Sequence, residues 1–201
     1  ILKIIPGSGS FLPKEIETIP HDPMRIGYVG RISKDKGVLT LIKAINKLKK
    51  SKINIDLVIW GKLDESKRHG FSQKELDFID KNQAYLCGTS NNKQEIFNSF
   101  DVFCLPSNGE GISKAAIEAS SFSRPLLLSD VPGNRDMVDG NGFLFRHNDL
   151  ADLSKKIIKI HQIGIVKFGE KSKSLFLLKW HMDLITNKWV NILNYDIARV
   201  K

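Results

Sequence analysis

The chain has 201 residues, enough for one α/β domain with a sizeable core. Its hydrophobic fraction of 41% is ordinary for a globular domain, and no apolar stretch approaches the roughly 18 residues of a membrane-spanning helix. The net charge of +9 favours anionic partners, whether phosphates, nucleic acid or an acidic membrane surface, and does not choose among them. Lysines on predicted helix faces, such as Lys43 and Lys47, are predicted to form a solvated surface.

Short apolar runs that end in glycine or proline alternate with segments of helical periodicity along the whole chain. Glycines and prolines dominate residues 1–24 and indicate a linker. The patterns predict strands at 25–30, 55–60, 84–87, 101–105, 125–129 and 142–145, and helices at 38–50, 72–80, 93–99, 112–121, 150–160 and 174–195. Ser72 and Glu75 form a capping box, and the helix from 150 is predicted to be capped near Asn148 or Asp149.

This alternation, without hairpin signals, predicts an α/β fold: a Rossmann-like, doubly wound parallel sheet covered on both faces. Ligands of such sheets bind outside the carboxyl ends of the strands. The loops that begin at Gly30, Gly61, Gly88 and Pro106 are therefore the candidate binding loops. Cys87 and Cys104 lie in apolar, strand-like contexts and are predicted to be reduced core thiols. The five histidines lack metal-ligand spacing, so no metal site is expected.

The loop after the first predicted strand carries Gly30, Arg31, Lys34, Lys36 and Gly37, and a helix follows it. Cations beside a helix N-terminus, where free N–H groups already favour an anion, suit phosphate. The spacing fits neither the dinucleotide glycine motif nor a Walker loop. The alternative is a basic loop that binds nothing.

A second loop, 106–113, places Glu110 between two glycines just before a helix that contains Glu118. Their separation of eight residues, taken as about two helical turns, predicts that they lie near one side. Glu110 has an alternative role as a partner of the helix dipole. A partly packed Glu118 needs a hydrogen-bond partner, which ribose hydroxyls would supply.

Three blocks make the chain similar to the C-terminal domain of glycosyltransferase family 4, retaining enzymes of the GT-B fold. They are residues 28–44, residues 57–61 with 85–88, and residues 101–119 with 124–133 and 140–145. Glu110 and Glu118 match the E-x7-E element of that family. The resemblance covers about residues 25–160 and implies the C-terminal half of a GT-B glycosyltransferase. Ser123 stands where the family commonly has glycine, and Ser113 where it often has proline.

The resemblance implies roles for individual residues. Arg31 and Lys36 match the basic pair that holds the donor diphosphate. Glu110 matches the catalytic acid beside the donor sugar, and Glu118 the acid that binds the ribose. Further donor contacts are implied for Gly30, Gly61, Gly88, Gly111, Ile112 and Ser113. The implied donor is a nucleotide sugar, such as a UDP- or GDP-sugar, used without metal or other cofactor.

The resemblance also implies a domain plan and a setting. Residues 1–24 are expected to be interdomain linker, 25–165 the nucleotide-sugar-binding domain, and 166–201 a C-terminal helical tail. An acceptor domain is expected before Ile1, so this chain is expected to bind donor without turnover. The acceptor is expected to be a glycan or lipid-linked, in capsule, O-antigen or lipopolysaccharide synthesis. The expected location is the cytoplasm, with peripheral contact at an anionic inner membrane face.

Two other functions stay open from the sequence. One is a nucleotide-sugar epimerase or a non-catalytic nucleotide-sugar binder of GT-B fold, which the presence of both Glu110 and Glu118 disfavours. The other is a basic nucleic-acid-binding module, which would group its surface aromatic residues. The three tyrosines are not grouped in that way, so no nucleic-acid partner is expected.

Overall fold

A computed structural model of the protein describes residues 7–17, 19–64, 70–81 and 85–199. In chain order its elements are β1 (Met24–Val29), α1 (Val38–Lys50), β2 (Ile55–Trp60), α2 (Gln73–Lys81), β3 (Tyr85–Gly88), α3 (Lys93–Asn98), β4 (Val102–Leu105), α4 (Lys114–Ser121), β5 (Leu126–Ser129), α5 (Pro132–Arg135), β6 (Gly142–Phe145), α6 (Leu150–Ile163), α7 (Val166–Lys179) and α8 (Met182–Arg199).

The strands form one parallel sheet in the order β3-β2-β1-β4-β5-β6, which confirms the predicted Rossmann-like fold. The chain runs outward from β1 through β2 to β3, and then returns so that β4 pairs with the other side of β1. The order of the strands therefore reverses between β1 and β4. At such a switch point the loops after the two strands diverge and leave a crevice for a ligand.

Helices cover both faces of the sheet. α1 packs against α2 and α6, while α4 packs against α7. The predicted apolar stripe of α1 is buried as its periodicity indicates: Val38, Leu41, Ile42, Ala44, Ile45 and Leu48. A second helical layer on the opposite face follows from the reversal of strand order, because crossovers between parallel strands are right-handed.

Two predicted helix caps are present. The Ser72 backbone N–H and hydroxyl both donate to Glu75 Oε2 at 2.8 Å, so the Glu75 half of the predicted capping box is present at the start of α2. The carboxylate of Asp149 accepts from the Asp152 N–H at 2.8 Å at the start of α6, so Asp149 rather than Asn148 is the cap.

The C-terminal region differs from the prediction. Instead of one helix over 174–195, α7 ends at Lys179 and α8 begins at Met182. The Ser10 N–H donates to the Trp180 carbonyl at 3.0 Å, and the Met182 N–H donates to the Ser10 carbonyl at 2.8 Å. The N-terminal segment thus occupies backbone groups that a continuous helix would use itself. No helix of the described residues is long and apolar enough to span a membrane.

The two cysteines also differ from each other. Cys104 in β4 is buried, as predicted, whereas Cys87 in β3 is exposed, so its placement in the core was wrong. Among the described strands β3 lies at the edge of the sheet and pairs with β2 alone, which explains the exposure of an otherwise strand-like sequence. The predicted start of that strand, Ala84, lies outside the described residues.

Candidate functional site

The loops after β1 and β4 meet at the carboxyl edge of the sheet. The Asn108 N–H donates to the Asp35 carbonyl at 2.8 Å, which joins the two loops directly. Gly37 has a φ of 67°, and a Cβ there would lie 2.1 Å from the Pro106 carbonyl oxygen. Only glycine fits this contact, because the left-handed backbone and the close approach both exclude a side chain. The two candidate loops of the sequence thus form one site.

Lys36 and Glu110 form the ion pair at the centre of this site. Lys36 Nζ donates to Glu110 Oε1 at 2.7 Å, and the two side chains are only 21% and 13% exposed. Water is therefore partly excluded from both charges, and each depends on the other or on a ligand for compensation. The pair brings together a cation suited to phosphate and a carboxylate suited to sugar chemistry.

Arg31 comes from the same loop as Lys36 but has different partners. Its guanidinium donates to Asp64 Oδ2 at 2.9 Å and lies 3.8 Å from Asp35. Asp64 belongs to the loop after β2, which is fastened to the first loop because the Ile32 N–H donates to the Lys62 carbonyl and the Asp64 N–H to the Ile32 carbonyl. Asp64 was not identified from the sequence. Its only sequence signal is its position three residues after Gly61.

Tyr28, in β1, packs beneath the loop that follows β1 and donates a hydrogen bond to it. Its side chain is fully buried, and its hydroxyl donates to the Arg31 carbonyl. Burial raises the pKa of Tyr28 far above its usual value, and the charges of Glu110 and Asp35 add to that rise. The hydroxyl consequently stays protonated and remains a donor. A Cβ on Gly30 would lie 3.1 Å from this hydroxyl oxygen, so the loop rests closely on Tyr28.

The second loop leads into α4, which starts at Lys114 rather than at the predicted 112. The Ser113 hydroxyl caps α4 by accepting from the Ala116 N–H at 3.3 Å. Gly111 and Ile112 precede the cap, and Ile112 is 36% exposed. Glu110 therefore lies outside the helix, as predicted, so only part of its eight-residue separation from Glu118 is helical.

Glu118 lies in the second turn of α4 with 12% exposure and pairs with Lys93 at 2.7 Å. Lys93 is the first residue of α3 and was not identified from the sequence. The side-chain positions of the two glutamates are thus each fixed by a lysine, Glu110 by Lys36 and Glu118 by Lys93.

Gly61 and Gly88 lie side by side at the carboxyl ends of β2 and β3. The Gly61 N–H donates to the Gly88 carbonyl at 2.7 Å, and the Gly30 N–H donates to the Trp60 carbonyl at 2.9 Å. The predicted site glycines Gly30, Gly61 and Gly88 therefore lie in a row along the carboxyl edge of the sheet, from β1 to β3. A Cβ on Gly88 would meet nothing within 4 Å, so this end of the edge is open.

Lys34 connects the outer part of the loop after β1 to α2 through an ion pair. Lys34 Nζ lies 2.9 Å from Glu75 Oε2, and together with the Ser72 N–H and hydroxyl it lowers the pKa of Glu75 to about 2. A lowered carboxylate pKa stabilises the fold above its ordinary value near 4.5, and the contribution is lost as the pH falls towards 2.

We expect Glu75→Gln to lower the free energy of unfolding by less than about 1 kcal/mol, because the pair is solvent-screened. This decrease in the free energy of unfolding should have its full size above about pH 5 and should shrink as the pH falls through the range between 4.5 and 2. Urea unfolding across this range measures it. Glu170→Gln, on α7, is the control with the same change of charge. Equal losses for both variants at every pH would contradict the assignment.

The site combines Arg31 and Lys36 of one loop with Glu110 of the next and the N-terminus of α4, and Glu118 lies one turn further along α4. This set can neutralise a diphosphate and accept hydrogen bonds from hydroxyl groups, which are the two kinds of group on a nucleotide sugar. Within the described parts of the chain, no cluster of three or more His, Cys, Asp or Glu residues could hold a metal ion.

Solved structures place this fold in a class. The chain is similar to the pneumococcal O-GlcNAc transferase GtfA, solved in complex with UDP and GlcNAc, with a TM-score of 0.79 over 94% of this chain and 38% of that one, at 22% identity. The likeness shows the fold, which is the Rossmann-like half of a GT-B glycosyltransferase.

Residues 13–173 match the family of group 1 glycosyl transferases, and the chain belongs to that family. It is 28% identical to the capsular polysaccharide biosynthesis glycosyltransferase CapM of Staphylococcus aureus over 152 residues, 74% of this chain and 40% of that one. It is 31% identical to the O-antigen biosynthesis glycosyltransferase WbnH of Escherichia coli over 136 residues, 68% of this chain and 37% of that one. The chain thus spans about two fifths of these relatives.

Proposed function

We propose that this chain is the donor-binding domain of a retaining, metal-independent glycosyltransferase of family 4. The observation that carries the proposal is the Lys36–Glu110 pair, which joins the two loops of the switch point at 2.7 Å beside the start of α4. A diphosphate supplies the negative charge that Lys36 needs, and a sugar supplies hydroxyl groups that donate hydrogen bonds to Glu110. The likeness to a structure solved with UDP supports a nucleoside diphosphate as the leaving group.

In the proposed mechanism, protein cations replace a metal ion at the leaving diphosphate. Lys36 and Arg31 lie in one loop, and the N–H groups of Gly111, Ile112 and Ser113 precede or begin α4. Such groups stabilise the negative charge that grows on the diphosphate as the bond to the sugar breaks. The acceptor attacks from the same face, and its proton passes to the departing phosphate, so the anomeric configuration is retained.

The nucleoside is proposed to lie along the open edge formed by Gly61 and Gly88, with its ribose at Glu118. Glu118 is 12% exposed, and Lys93 fixes its carboxylate, so its orientation is set before a ribose is bound. A carboxylate held in this way accepts hydrogen bonds from two neighbouring hydroxyls at little further cost in entropy.

The activity of the whole protein is also part of the proposal. The names of CapM and WbnH support a role in the assembly of a capsule, O-antigen or related surface polysaccharide. We propose a glycan or lipid-linked acceptor held by a further domain, no turnover by this chain alone, and a cytoplasmic location with peripheral contact at an anionic membrane. An epimerase-type reaction is the alternative, and it predicts isomerised donor without any acceptor.

Replacing Glu118 tests the proposed site through the ribose. We expect Glu118→Gln to weaken binding of UDP by about tenfold or more, because a hydrogen bond to a charged group is worth about 1.5–3 kcal/mol. Binding of 2′,3′-dideoxy-UDP should be weak and unchanged by the substitution. Calorimetry with UDP, GDP and the 2′,3′-dideoxy analogue of each measures these effects, and Glu170→Gln is the control.

Three outcomes would count against the proposal. Binding of no nucleotide by the unmodified chain would remove the donor site. Equal weakening of UDP and dideoxy-UDP would remove the ribose role of Glu118. Release of an isomerised sugar nucleotide by this chain would favour the epimerase-type alternative.

A further inference from the structure

A groove of about 660 Å³ lies between α1 and α6. Three lysines, Lys47, Lys155 and Lys159, surround it, and the aliphatic side chains of Leu48, Ile53 and Ile158 form part of its lining. The groove has no carboxylate among the described residues that line it. A cleft lined by a single sign of charge concentrates ions or surfaces of the opposite sign.

A second groove of about 430 Å³ continues the first along α1. It shares Lys47 and Ser51 with the first groove and adds Lys43 and Lys50. The two grooves therefore form one continuous surface, called here the lysine face and defined by Lys43, Lys47, Lys50, Lys155 and Lys159. All five side chains are exposed.

These lysines are not used to stabilise the fold by ion pairs. None of the five pairs with a carboxylate in the described parts of the chain, whereas neighbouring Lys49 pairs with Asp56 at 2.5 Å. The Nζ of Lys159 lies 4.7 Å from the centroid of the Phe143 ring, a contact that leaves its charge uncompensated. The nearest acidic residues in sequence lie at the start of α6: Asp149 caps the helix, and Asp149 and Asp152 both pair with Arg146.

The position of the lysine face separates it from the candidate donor site. α1 begins beside the loop of Lys36 and runs for 13 residues, about 20 Å, away from the carboxyl edge of the sheet. Lys47 and Lys50 lie in its last turn. A partner bound to this face therefore leaves the crevice between β1 and β4 open.

We propose that the lysine face docks this domain on an anionic lipid bilayer. Each lysine near such a surface adds to the attraction, and the aliphatic lining lets the lysine stems lie against apolar atoms while their charged ends face the lipid phosphates. Single-stranded nucleic acid instead favours arginine and exposed aromatic rings for stacking. Among the described residues that line the two grooves there is no arginine and one aromatic residue, Phe78, which packs against Lys43. This proposal shares with the proposed function the peripheral contact with an anionic membrane. It adds the surface of the domain that makes this contact.

The test is co-sedimentation of the chain with vesicles of phosphatidylglycerol mixed with phosphatidylcholine, and with vesicles of phosphatidylcholine alone. We expect binding to the anionic vesicles only, weakened by salt. The triple variant Lys47→Glu, Lys155→Glu, Lys159→Glu should reduce the partition coefficient roughly a hundredfold or more. The matched control is Lys167→Glu, Lys171→Glu, Lys173→Glu, which makes the same change of charge on exposed lysines of α7 and should retain most binding.

Several outcomes would overturn the proposal. They are no binding to anionic vesicles, equal binding to neutral ones, or an equal loss in both triple variants. Binding of single-stranded RNA that depends on the lysine face, without vesicle binding, would assign the face to another partner. Calorimetry with UDP on the same variants keeps the two proposals apart, because the lysine-face variant should bind UDP as the unmodified chain does.

Discussion

Lys36→Met is expected to reduce binding of UDP by at least about a hundredfold. The substitution removes the cation that lies between the two loops and leaves Glu110, 13% exposed, with no positive partner at 2.7 Å. A diphosphate entering the site would then meet an uncompensated carboxylate instead of an ammonium group, so attraction is replaced by repulsion. Calorimetry with UDP measures the effect.

Lys34→Met is the matched control, because it removes the same charge from the same loop. Lys34 pairs with Glu75 on α2 and is 48% exposed, so its loss should change UDP binding by no more than about twofold. A larger loss of binding for Lys34→Met than for Lys36→Met would overturn the assignment.

A double variant separates binding from stability. Lys36→Met alone should cost about 1–2 kcal/mol of unfolding free energy, mostly because Glu110 loses its partner. Adding Glu110→Gln removes that partly buried charge and should recover much of the stability while UDP binding stays lost. Recovery of binding in the double variant would show that Lys36 serves only to neutralise Glu110.

The strands, their parallel arrangement and the loops of the site were predictable because each depends on local patterns. Apolar runs closed by glycine gave β1 and β2, and the capping box gave the start of α2. Gly30, Gly61 and Gly88 were predicted to lie at one edge of the sheet, because parallel strands have their carboxyl ends on the same side.

Tertiary pairings were not predictable from the same patterns. The partners of Arg31 and Glu118 are Asp64 and Lys93, which lie on other loops or helices and have no periodic relation to them. The break between α7 and α8 depends on hydrogen bonds with Ser10, from the other end of the chain. Such contacts form only once the sheet has set the relative positions of the elements.

Ser123 shows how a departure from a family pattern can be explained afterwards. Its φ is 58°, in the left-handed region that glycine adopts most readily, and its carbonyl would lie 2.4 Å from a Cβ on Gly169. The common glycine of the family at this position therefore fits the backbone that the structure shows. The sequence revealed the substitution but not the conformation that makes it costly.

Gly133→Ala is expected to disrupt the Glu110 loop from behind. Gly133 lies in α5, and a Cβ there would be 1.7 Å from the Gly111 carbonyl oxygen and 2.4 Å from that of Glu110. Both are backbone atoms, so no side-chain rotation relieves the clash and the loop has to move. α5 cannot easily move instead, because Asn134 Nδ2 donates to the Ser129 carbonyl at 3.0 Å and to its hydroxyl at 3.1 Å.

The displaced loop should carry Glu110 away from Lys36, so stability and UDP binding fall together. We expect a loss of about 3 kcal/mol, at the upper end for overpacking, and a fall in melting temperature of about 6–12 °C. Gly109→Ala is the control in the same loop, where a Cβ meets nothing within 4 Å, and its melting temperature should stay near that of the unmodified chain. Thermal unfolding with and without UDP measures both variants. A Gly133→Ala protein that melts and binds normally would show that α5 does not fix the position of the Glu110 loop.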